Sequence, residues 1–364
     1  MKRLLVFVFL LPIICTSQYT LIPDTTFELK LINLGYDSIQ DGQVLTANIV
    51  NVDSLDLSGD ISGSSNLSDL TGIEGFTNLV YLDCSANPLA SLDVSQNIHL
   101  NYLDCSVTPL FNLDVSQNTL LKHLACNGGF LQNLDLSNND SLEYLNCNGQ
   151  MLSNLDLSNN LVLLELYCTQ NQLQNLDLSQ NLALTHLDCS GNSLWGGITH
   201  LNLSQNTALE YFKCKGRSIL GSAQGRLRHL DIRNGNNINF TDFEANNNDS
   251  LYCISVDDST WASNNWSAYI DSQTVFSNNC NPSTIDIIEN LNNFLTYPNP
   301  TNNLIQIEIE NYTGSIEAAL YDFTGTLLET TKSTTFSLED YPKGVYLLKV
   351  TYGDKVEEVK VIKE

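Results

Sequence analysis

The sequence predicts a mainly β protein, in which a capped solenoid of parallel strands precedes a small β-sandwich domain. The first observation is a period of 21 residues, after which a cysteine recurs. These cysteines are Cys84, Cys105, Cys126, Cys147, Cys168 and Cys189. The second is a change of composition from Tyr297, where the period ends and short alternating runs separated by glycines begin. A fixed period of this length is typical of stacked repeats, which bury their apolar faces against one another.

Each 21-residue block contains two short segments in which apolar and polar residues alternate, such as 82–84 (Leu-Asp-Cys) and 92–94 (Leu-Asp-Val). Alternation predicts a strand with one buried face. Asparagine and glycine follow these segments, and both tolerate the left-handed backbone of turns. We therefore expect two strands in each coil, with leucine and cysteine inside and equivalent residues stacked about 4.8 Å apart.

The chain begins with a predicted signal peptide, residues 1–17, in which two basic residues and an apolar run precede small residues before Gln18. No later segment approaches the ~20 apolar residues of a membrane helix, so we expect no transmembrane segment in the mature chain. The net charge of −25 argues against nucleic acids and anionic membranes as partners.

Open solenoid ends need covering, and residues 18–51 are expected to form the N-terminal cap. Within the cap we expect a helix over 25–34, with Phe27, Leu31 and Leu34 on its apolar side.

The repeats are expected over 52–250 and a C-terminal cap over 251–280, with 251–258 as the last strand. Cys253 and Cys280 lie outside the cysteine series. In an exported protein, two such cysteines are expected to form a disulfide that fixes the cap.

The blocks read L-x-x-L-x-C-x-x-N-x-L-x-x-L-D-[LV]-S-x-N, and they resemble the leucine-rich repeat family in a short bacterial variant. The resemblance covers roughly 55–258. One asparagine column is interrupted by Thr108, Gly129 and Gln150, which puts the turns of the middle coils in question. The string IPDTTFELKLINLGYDS in the N-terminal cap resembles the caps of leucine-rich proteins secreted by Bacteroidetes.

A predicted linker, 281–293, leads to a predicted β-sandwich, 294–364, with several short strands. Its motifs YPNPTNN, LYDFTGTLL and LEDYPKGVYLLKV together resemble a type A sorting domain of the type IX secretion system. The resemblance implies that 294–364 engages the export machinery and is then removed. It also implies a secreted or outer-surface location, by release or by attachment to surface lipopolysaccharide.

Two outward columns of the first segment form the candidate ligand-binding site. Three residues before each cysteine stand mostly tyrosine and histidine, and one residue before it stand mostly acidic and amide residues. The candidate residues are Tyr81, Tyr102, His123, Tyr144, Tyr167, His186 and Tyr211. Rings with polar tips suit recognition of peptides or sugars. The alternative is that the rings stack only to stabilise the sheet.

The second segment carries an acidic column, which consists of Asp93, Asp114, Asp135, Asp156, Asp177 and Asp231, with Asn202 in line. Like charges about 5 Å apart should raise one another's pKa. We favour carboxylates held by neighbouring serine and asparagine over a strip for cations. The cysteine column is expected to be buried and unbridged, because strands 4.8 Å apart do not bring Cβ atoms to the ~3.8 Å of a disulfide.

No arrangement of nucleophile, base and orienting group is visible, and no phosphate-binding or metalloprotease motif occurs. Irregular insertions separate His200 and His229, which argues against a metal site there. We therefore expect no enzyme activity, cofactor or metal. The sequence favours a secreted binding protein that adheres to a protein or glycan ligand. The alternative is an acidic structural spacer without a dedicated ligand.

Overall fold

The protein divides into two compact units with a boundary between Cys280 and Asn281. The structure, a computed structural model, describes residues 18–59, 67–192, 197–219, 222–223, 225–280, 294–297, 301, 303–309, 314–322, 326–353 and 355–363. The predicted signal peptide (1–17) and linker (281–293) lie outside the described residues. No helix within those ranges is long and apolar enough to cross a membrane.

The N-terminal cap contains two antiparallel strands and two helices. They are β1 (Tyr19–Leu21), α1 (Thr25–Asn33), β2 (Gln43–Leu45) and α2 (Thr46–Ile49). The Asp24 carboxylate caps α1 by accepting hydrogen bonds from the backbone of Thr26 and Phe27. Phe27 and Leu31 are fully buried. The expectation for Leu34 is wrong: it lies at the C-cap, beyond the apolar face of the helix, and is 48% exposed.

The described residues of the rest of the first unit form one α-helix, α3 (Ser259–Trp266), and fifteen short strands. They are β3 (Ser54–Asp56), β4 (Tyr81–Asp83), β5 (Tyr102–Asp104), β6 (His123–Ala125), β7 (Tyr144–Asn146), β8 (Glu165–Tyr167), β9 (His186–Asp188), β10 (His200–Asn202), β11 (Tyr211–Lys213), β12 (Ser218–Ile219), β13 (Ser222–Ala223), β14 (His229–Asp231), β15 (Asp242–Glu244), β16 (Cys253–Ser255) and β17 (Val275–Ser277). A nine-stranded parallel sheet takes the order β15-β11-β9-β8-β7-β6-β5-β4-β3. A four-stranded parallel sheet, β10-β14-β16-β17, follows a second side of the distal coils. The predicted parallel-strand solenoid is confirmed.

Side chains of the large sheet alternate between core and solvent as the pattern predicts. In β5, Leu103 is fully buried, whereas Tyr102 and Asp104 on either side of it are half-buried. Cys105 follows inside, and burial raises the pKa of its thiol well above its usual value. All seven thiols of the series, Cys84 to Cys214, are buried and free, so they act as small apolar core groups.

The second segment does not form strands in the regular coils, so that prediction is wrong there. Among the described residues of these coils, the segment has one isolated parallel bridge, Asp93 to Asp114. The Asp93 carboxylate accepts a hydrogen bond from the backbone of Ser95 at 2.9 Å, so the chain turns directly after the aspartate. In the distal coils, by contrast, the equivalent segments form the paired strands β10, β14, β16 and β17.

A ladder of buried asparagine side chains joins each regular coil to the one before it. The Asn118 amide donates to the carbonyl oxygens of Val94 (3.0 Å) and Asn97 (2.9 Å) in the preceding coil. The members are Asn97, Asn118, Asn139, Asn160, Asn181 and Asn206, all fully buried. Since strand pairing is almost absent at this corner, side-chain amides take its place.

Where the asparagine column is interrupted, the longer side chain of Gln150 supplies a hydrogen bond between coils. Asn171 donates to the carbonyls of Cys147 and Cys168, but Gly129 has no side chain to do so for Cys126. Gln150 of the next coil donates to the Cys126 carbonyl and accepts from the backbone of Leu131 at 2.8 Å. A Cβ atom at Gly129 would lie 3.2 Å from the Gln150 amide, so the glycine leaves room for this side chain.

The C-terminal cap contains a strand, β17, that the sequence did not predict. The predicted last strand, 251–258, is shorter in the structure, where it forms β16. Helix α3 (Ser259–Trp266) follows and leads to β17, which pairs with β16. Cys253 in β16 and Cys280 beyond β17 are joined in a disulfide with Cα atoms 5.9 Å apart. The Trp266 ring stacks on Phe243 of β15 at 4.3 Å and closes the core.

The second unit contains two antiparallel sheets with a shared apolar core. Its strands are β18 (Phe294–Tyr297), β19 (Leu304–Ile309), β20 (Ile316–Tyr321), β21 (Leu327–Thr331), β22 (Thr335–Ser337), β23 (Gly344–Tyr352) and β24 (Lys355–Lys363). The sheet orders are β18-β19-β22 and β21-β20-β23-β24. Ile305 and Phe336 from one sheet and Leu348 from the other belong to one buried cluster, as in a β-sandwich.

Replacing Asn118 by alanine tests the amide ladder. The change removes two buried hydrogen bonds, so we expect the free energy of unfolding to fall by about 1–3 kcal/mol. Urea unfolding followed by circular dichroism measures this. The matched control, Gln117→Ala, changes the neighbouring exposed amide and should stay within about 0.5 kcal/mol of wild type. Equal midpoints for Asn118→Ala and wild type would refute the role of the ladder.

Candidate ligand-binding face

The candidate residues occupy one continuous surface, which we call the aromatic face. It consists of Tyr81, Tyr102, His123, Tyr144, Tyr167, His186 and Tyr211, on β4 to β9 and β11. Each of these strands has three residues, and its central leucine or phenylalanine points into the core. The first and third side chains therefore point outward together, and parallel pairing in register places equivalent rings side by side.

The first four rings form a continuous stack. Tyr81 and Tyr102 have ring centroids 4.4 Å apart with an interplanar angle of 18°. His123 lies between Tyr102 and Tyr144 at 4.1 Å from each, with angles of 10° and 4°. Because the flat faces of these rings cover one another, the stack presents ring edges and polar tips to solvent.

Glu165 interrupts this stack, since it occupies the ring position of β8. Tyr144 turns instead toward Tyr167, with centroids 5.7 Å apart and planes tilted by 45°. The Tyr167 hydroxyl donates to the Glu165 carboxylate at 3.1 Å. A second, shorter stack follows, in which His186 and Tyr211 lie 5.5 Å apart.

The two ends of the aromatic face differ. At the C-terminal end, the Lys213 ammonium lies 5.1 Å from the Tyr211 ring centroid and pairs with Asp242 of β15 at 2.8 Å. At the N-terminal end, Tyr81 stands opposite Ser54 of β3, which is too short to cover the ring. Sequence reasoning missed the contact between Lys213 and Asp242, because β15 falls outside the regular cysteine spacing.

The phenols and the imidazole of the stack favour their neutral forms. Burial, and then the Asp104 carboxylate, raise the pKa of Tyr102 to about 12. Burial is also the largest cause that raises the pKa of Tyr81 and Tyr144. Burial lowers the pKa of His123, although Asp104 and Glu165 act in the opposite direction. At neutral pH the four-ring stack therefore combines uncharged rings with flanking carboxylates.

The acidic column of the second segment behaves differently from expectation. The pKa of Asp93 is lowered, chiefly because the backbone N–H of Ser95 donates to it, and this outweighs repulsion from Asp114. Hydrogen bonds from the hydroxyl and the backbone N–H of the serine two residues on are also the largest causes of the lowered pKa of Asp114, Asp135, Asp156 and Asp177. Neighbouring carboxylates act in the expected direction on Asp93, Asp114, Asp156 and Asp177, but hydrogen bonds from the serine two residues on outweigh this repulsion.

The histidines of the four-stranded sheet meet although insertions separate them in the chain. His200 and His229 stand opposite each other, with ring centroids 4.4 Å apart. Nevertheless, the part of the chain that the structure describes contains no group of three or more metal-ligating residues placed to hold an ion.

The chain has a parallel-strand solenoid like that of leucine-rich-repeat proteins, followed by a C-terminal sorting domain. Residues 295–364 match the family described as secretion system C-terminal sorting domain. This type IX domain indicates a protein that is secreted or displayed at the outer surface. A comparison with curated proteins gives no match to the chain. The predicted Bacteroidetes origin stays a prediction.

Several solved structures are similar to the chain. The functional domain of InlJ from Listeria monocytogenes, described as including a cysteine ladder, is 21% identical over 96% of this chain and 99% of that chain, with a TM-score of 0.45. An internalin, inlF, from the same species is 16% identical over 72% and 96%, with a TM-score of 0.29. YopM, a leucine-rich effector protein from Yersinia pestis, is 18% identical over 55% and 70%, with a TM-score of 0.34.

Acidification tests the environment of His123. Its folded-state pKa lies below the ordinary value of 6.5, so the unfolded chain takes up the proton first as pH falls. This part of the stability is present above pH 6.5 and is lost progressively below it. We expect the urea midpoint of wild type to fall more steeply between about pH 7 and 5 than that of His123→Tyr, which keeps a ring in the stack.

The control variant for this measurement, His99→Gln, removes an exposed imidazole outside the aromatic face. It should keep the wild-type pH dependence. If His123→Tyr and wild type lose stability in parallel, the assigned environment of His123 is wrong.

Proposed function

We propose that the protein is a secreted binding module that recognises a protein ligand through the aromatic face. The observation that carries the proposal is the stack of neutral rings, whose hydroxyl and imidazole tips line the outward side of a parallel sheet. Tyrosines held in place by their neighbours lose little side-chain freedom on binding, and tyrosine is enriched among residues that dominate binding energy.

A protein ligand fits this geometry better than a glycan. A sugar ring packs flat against an exposed aromatic face, but the faces of Tyr102, His123 and Tyr144 are covered by one another. Their edges offer hydrogen-bond donors and acceptors in a row about 4.8 Å apart, the repeat of a paired sheet. Such a row suits the polar groups of a polypeptide surface. Adhesion to a glycan is therefore the second candidate.

A purely structural role for the rings is the main rival. Cross-strand aromatic pairs stabilise sheets on their own, and the short ring distances are consistent with that role. The two roles differ in what the hydroxyl groups do. Stacking needs the rings alone, whereas recognition needs the polar tips. We propose no catalytic role, since the described residues bring together no set of nucleophile, base and orienting group.

The double variant Tyr102→Phe/Tyr144→Phe separates the roles, because it keeps both rings and removes both hydroxyls. Full-chain protein is first screened against protein and glycan arrays, and the affinity of each ligand found is then measured by biolayer interferometry. We expect a protein ligand whose affinity falls about 10-fold or more in the variant. The free energy of unfolding should change by no more than about 0.5 kcal/mol.

The matched control, Tyr19→Phe/Tyr269→Phe, removes two exposed hydroxyls outside the aromatic face and should bind like wild type. Binding only to glycans would favour the second candidate. If ligands bind both double variants and wild type equally, the rings serve stability and the proposal fails.

A further inference from the structure

The first ring of the stack has one uncovered face. Tyr81 lies against Tyr102 on one side. On the other side runs β3, the edge strand of the large sheet, where exposed Ser54 stands opposite Tyr81. Among the described residues, no ring or cation lies over this face of Tyr81. As far as the described residues show, it is the place in the four-ring stack where a partner can pack flat on an aromatic surface.

Two carboxylates flank the uncovered ring. Asp56 and Asp83 stand opposite each other on β3 and β4, two residues after Ser54 and Tyr81 and on the same side of the sheet. Each uses Oδ1 to accept a hydrogen bond at 2.9 Å, from the backbone of Ser58 and of Ser85 respectively. After burial, Asp83 and then Asp56 are the largest causes of the raised pKa of Tyr81, which places both within electrostatic reach of its hydroxyl.

Among the described residues, Lys30 is the counter-charge that reaches this site, and it forms no ion pair with either carboxylate. Lys30 is the cation that acts on Asp56, and its effect on the pKa of that carboxyl is the smallest of those that lower it. Its ammonium donates instead to the carbonyls of Leu57 (3.0 Å) and Ser58 (2.8 Å). No described salt bridge involves Asp56 or Asp83.

At the opposite end of the aromatic face, the terminal ring meets a cation of the protein itself. There the Lys213 ammonium lies over the Tyr211 ring and pairs with Asp242. The hydrogen bond to Asp242 is the largest cause of the raised pKa of Lys213, so the ammonium stays charged. The terminal ring at one end thus meets an internal cation and a carboxylate. Beside the terminal ring at the other end stand two carboxylates that form no described ion pair.

We propose that Tyr81, Asp56 and Asp83 form a site for a cationic side chain, an arginine, of the protein ligand. This inference rests on the proposed function and assigns one contact of that ligand. A guanidinium is planar and weakly hydrated, so it packs flat on a ring while its N–H groups donate to carboxylates. Two acceptors side by side suit this forked donor better than they suit the compact ammonium of lysine.

The test uses the full chain and a fluorescein-labelled hexa-arginine peptide, with binding followed by fluorescence anisotropy in 150 mM salt. Asp56→Asn/Asp83→Asn removes two charges at the site. Asp135→Asn/Asp156→Asn removes two charges from exposed carboxylates of the second segment, which also accept hydrogen bonds from serine. We expect the first pair to weaken binding about 5-fold or more, and the matched control less than about 2-fold.

A second variant, Ser54→Tyr, covers the ring and keeps every charge. Position 54 is in line with Tyr81 and Tyr102, so the sheet accepts a tyrosine there. We expect this variant also to weaken binding, and hexa-lysine to bind wild type less tightly than hexa-arginine. Circular dichroism checks that each variant is folded.

Equal losses in the two aspartate pairs would show diffuse attraction to an acidic protein and overturn the proposal. Unchanged binding by Ser54→Tyr would show that the ring is not part of the site. A protein ligand whose binding requires Tyr102 and Tyr144 but not Asp56 and Asp83 would refute this inference and leave the proposed function standing. If hexa-arginine binds specifically at this site but no ligand is found for the rest of the aromatic face, this inference would stand and the proposed function would fail.

Discussion

Parallel pairing in register, one coil to the next, is the constraint on which the rest of the structure depends. Because equivalent residues stand directly opposite each other, every column of the sequence becomes a column in space. Backbone pairing enforces this along the three-residue strands. At the opposite corner, where strands are almost absent, buried asparagines such as Asn118 enforce it by donating to carbonyls of the preceding coil. Leucine and cysteine columns then build the core, and tyrosine and histidine columns build the aromatic face.

The same constraint determines the chemistry of the aromatic face. Rings held side by side at 4.1 to 4.4 Å shield one another, so burial favours the neutral forms of Tyr102 and His123. Stacking also removes flat ring surfaces from solvent, except where a column ends. The polar recognition proposed along the stack and the cation recognition proposed at Tyr81 would therefore both follow from one geometry. They differ only in whether a neighbouring ring is present.

The 21-residue period was sufficient to predict the solenoid, the buried thiols and the side of the sheet that carries the rings. The period did not predict the local structure where hydrogen bonds turn a segment whose residues alternate like those of a strand. The segment at Asp93 alternates like a strand, yet the aspartate accepts from Ser95 and turns the chain. The repair of the Gly129 position by Gln150 depends on a contact between coils, which no pattern within one repeat reveals. Strands β15 and β17 also escaped prediction, because insertions shift them out of the period.

Residue-resolved thiol alkylation tests the inside–outside arrangement most directly. The native full chain is treated with iodoacetamide without reductant, and labelled cysteines are identified by peptide mass mapping. The account predicts that Cys105, Cys126 and Cys147 stay unlabelled in the native protein and become labelled after denaturation, because all three are buried in the core. Labelling of Cys105 or Cys126 in the native chain at the rate of the denatured chain would contradict it. The sheet would then be turned the other way, with its rings inside.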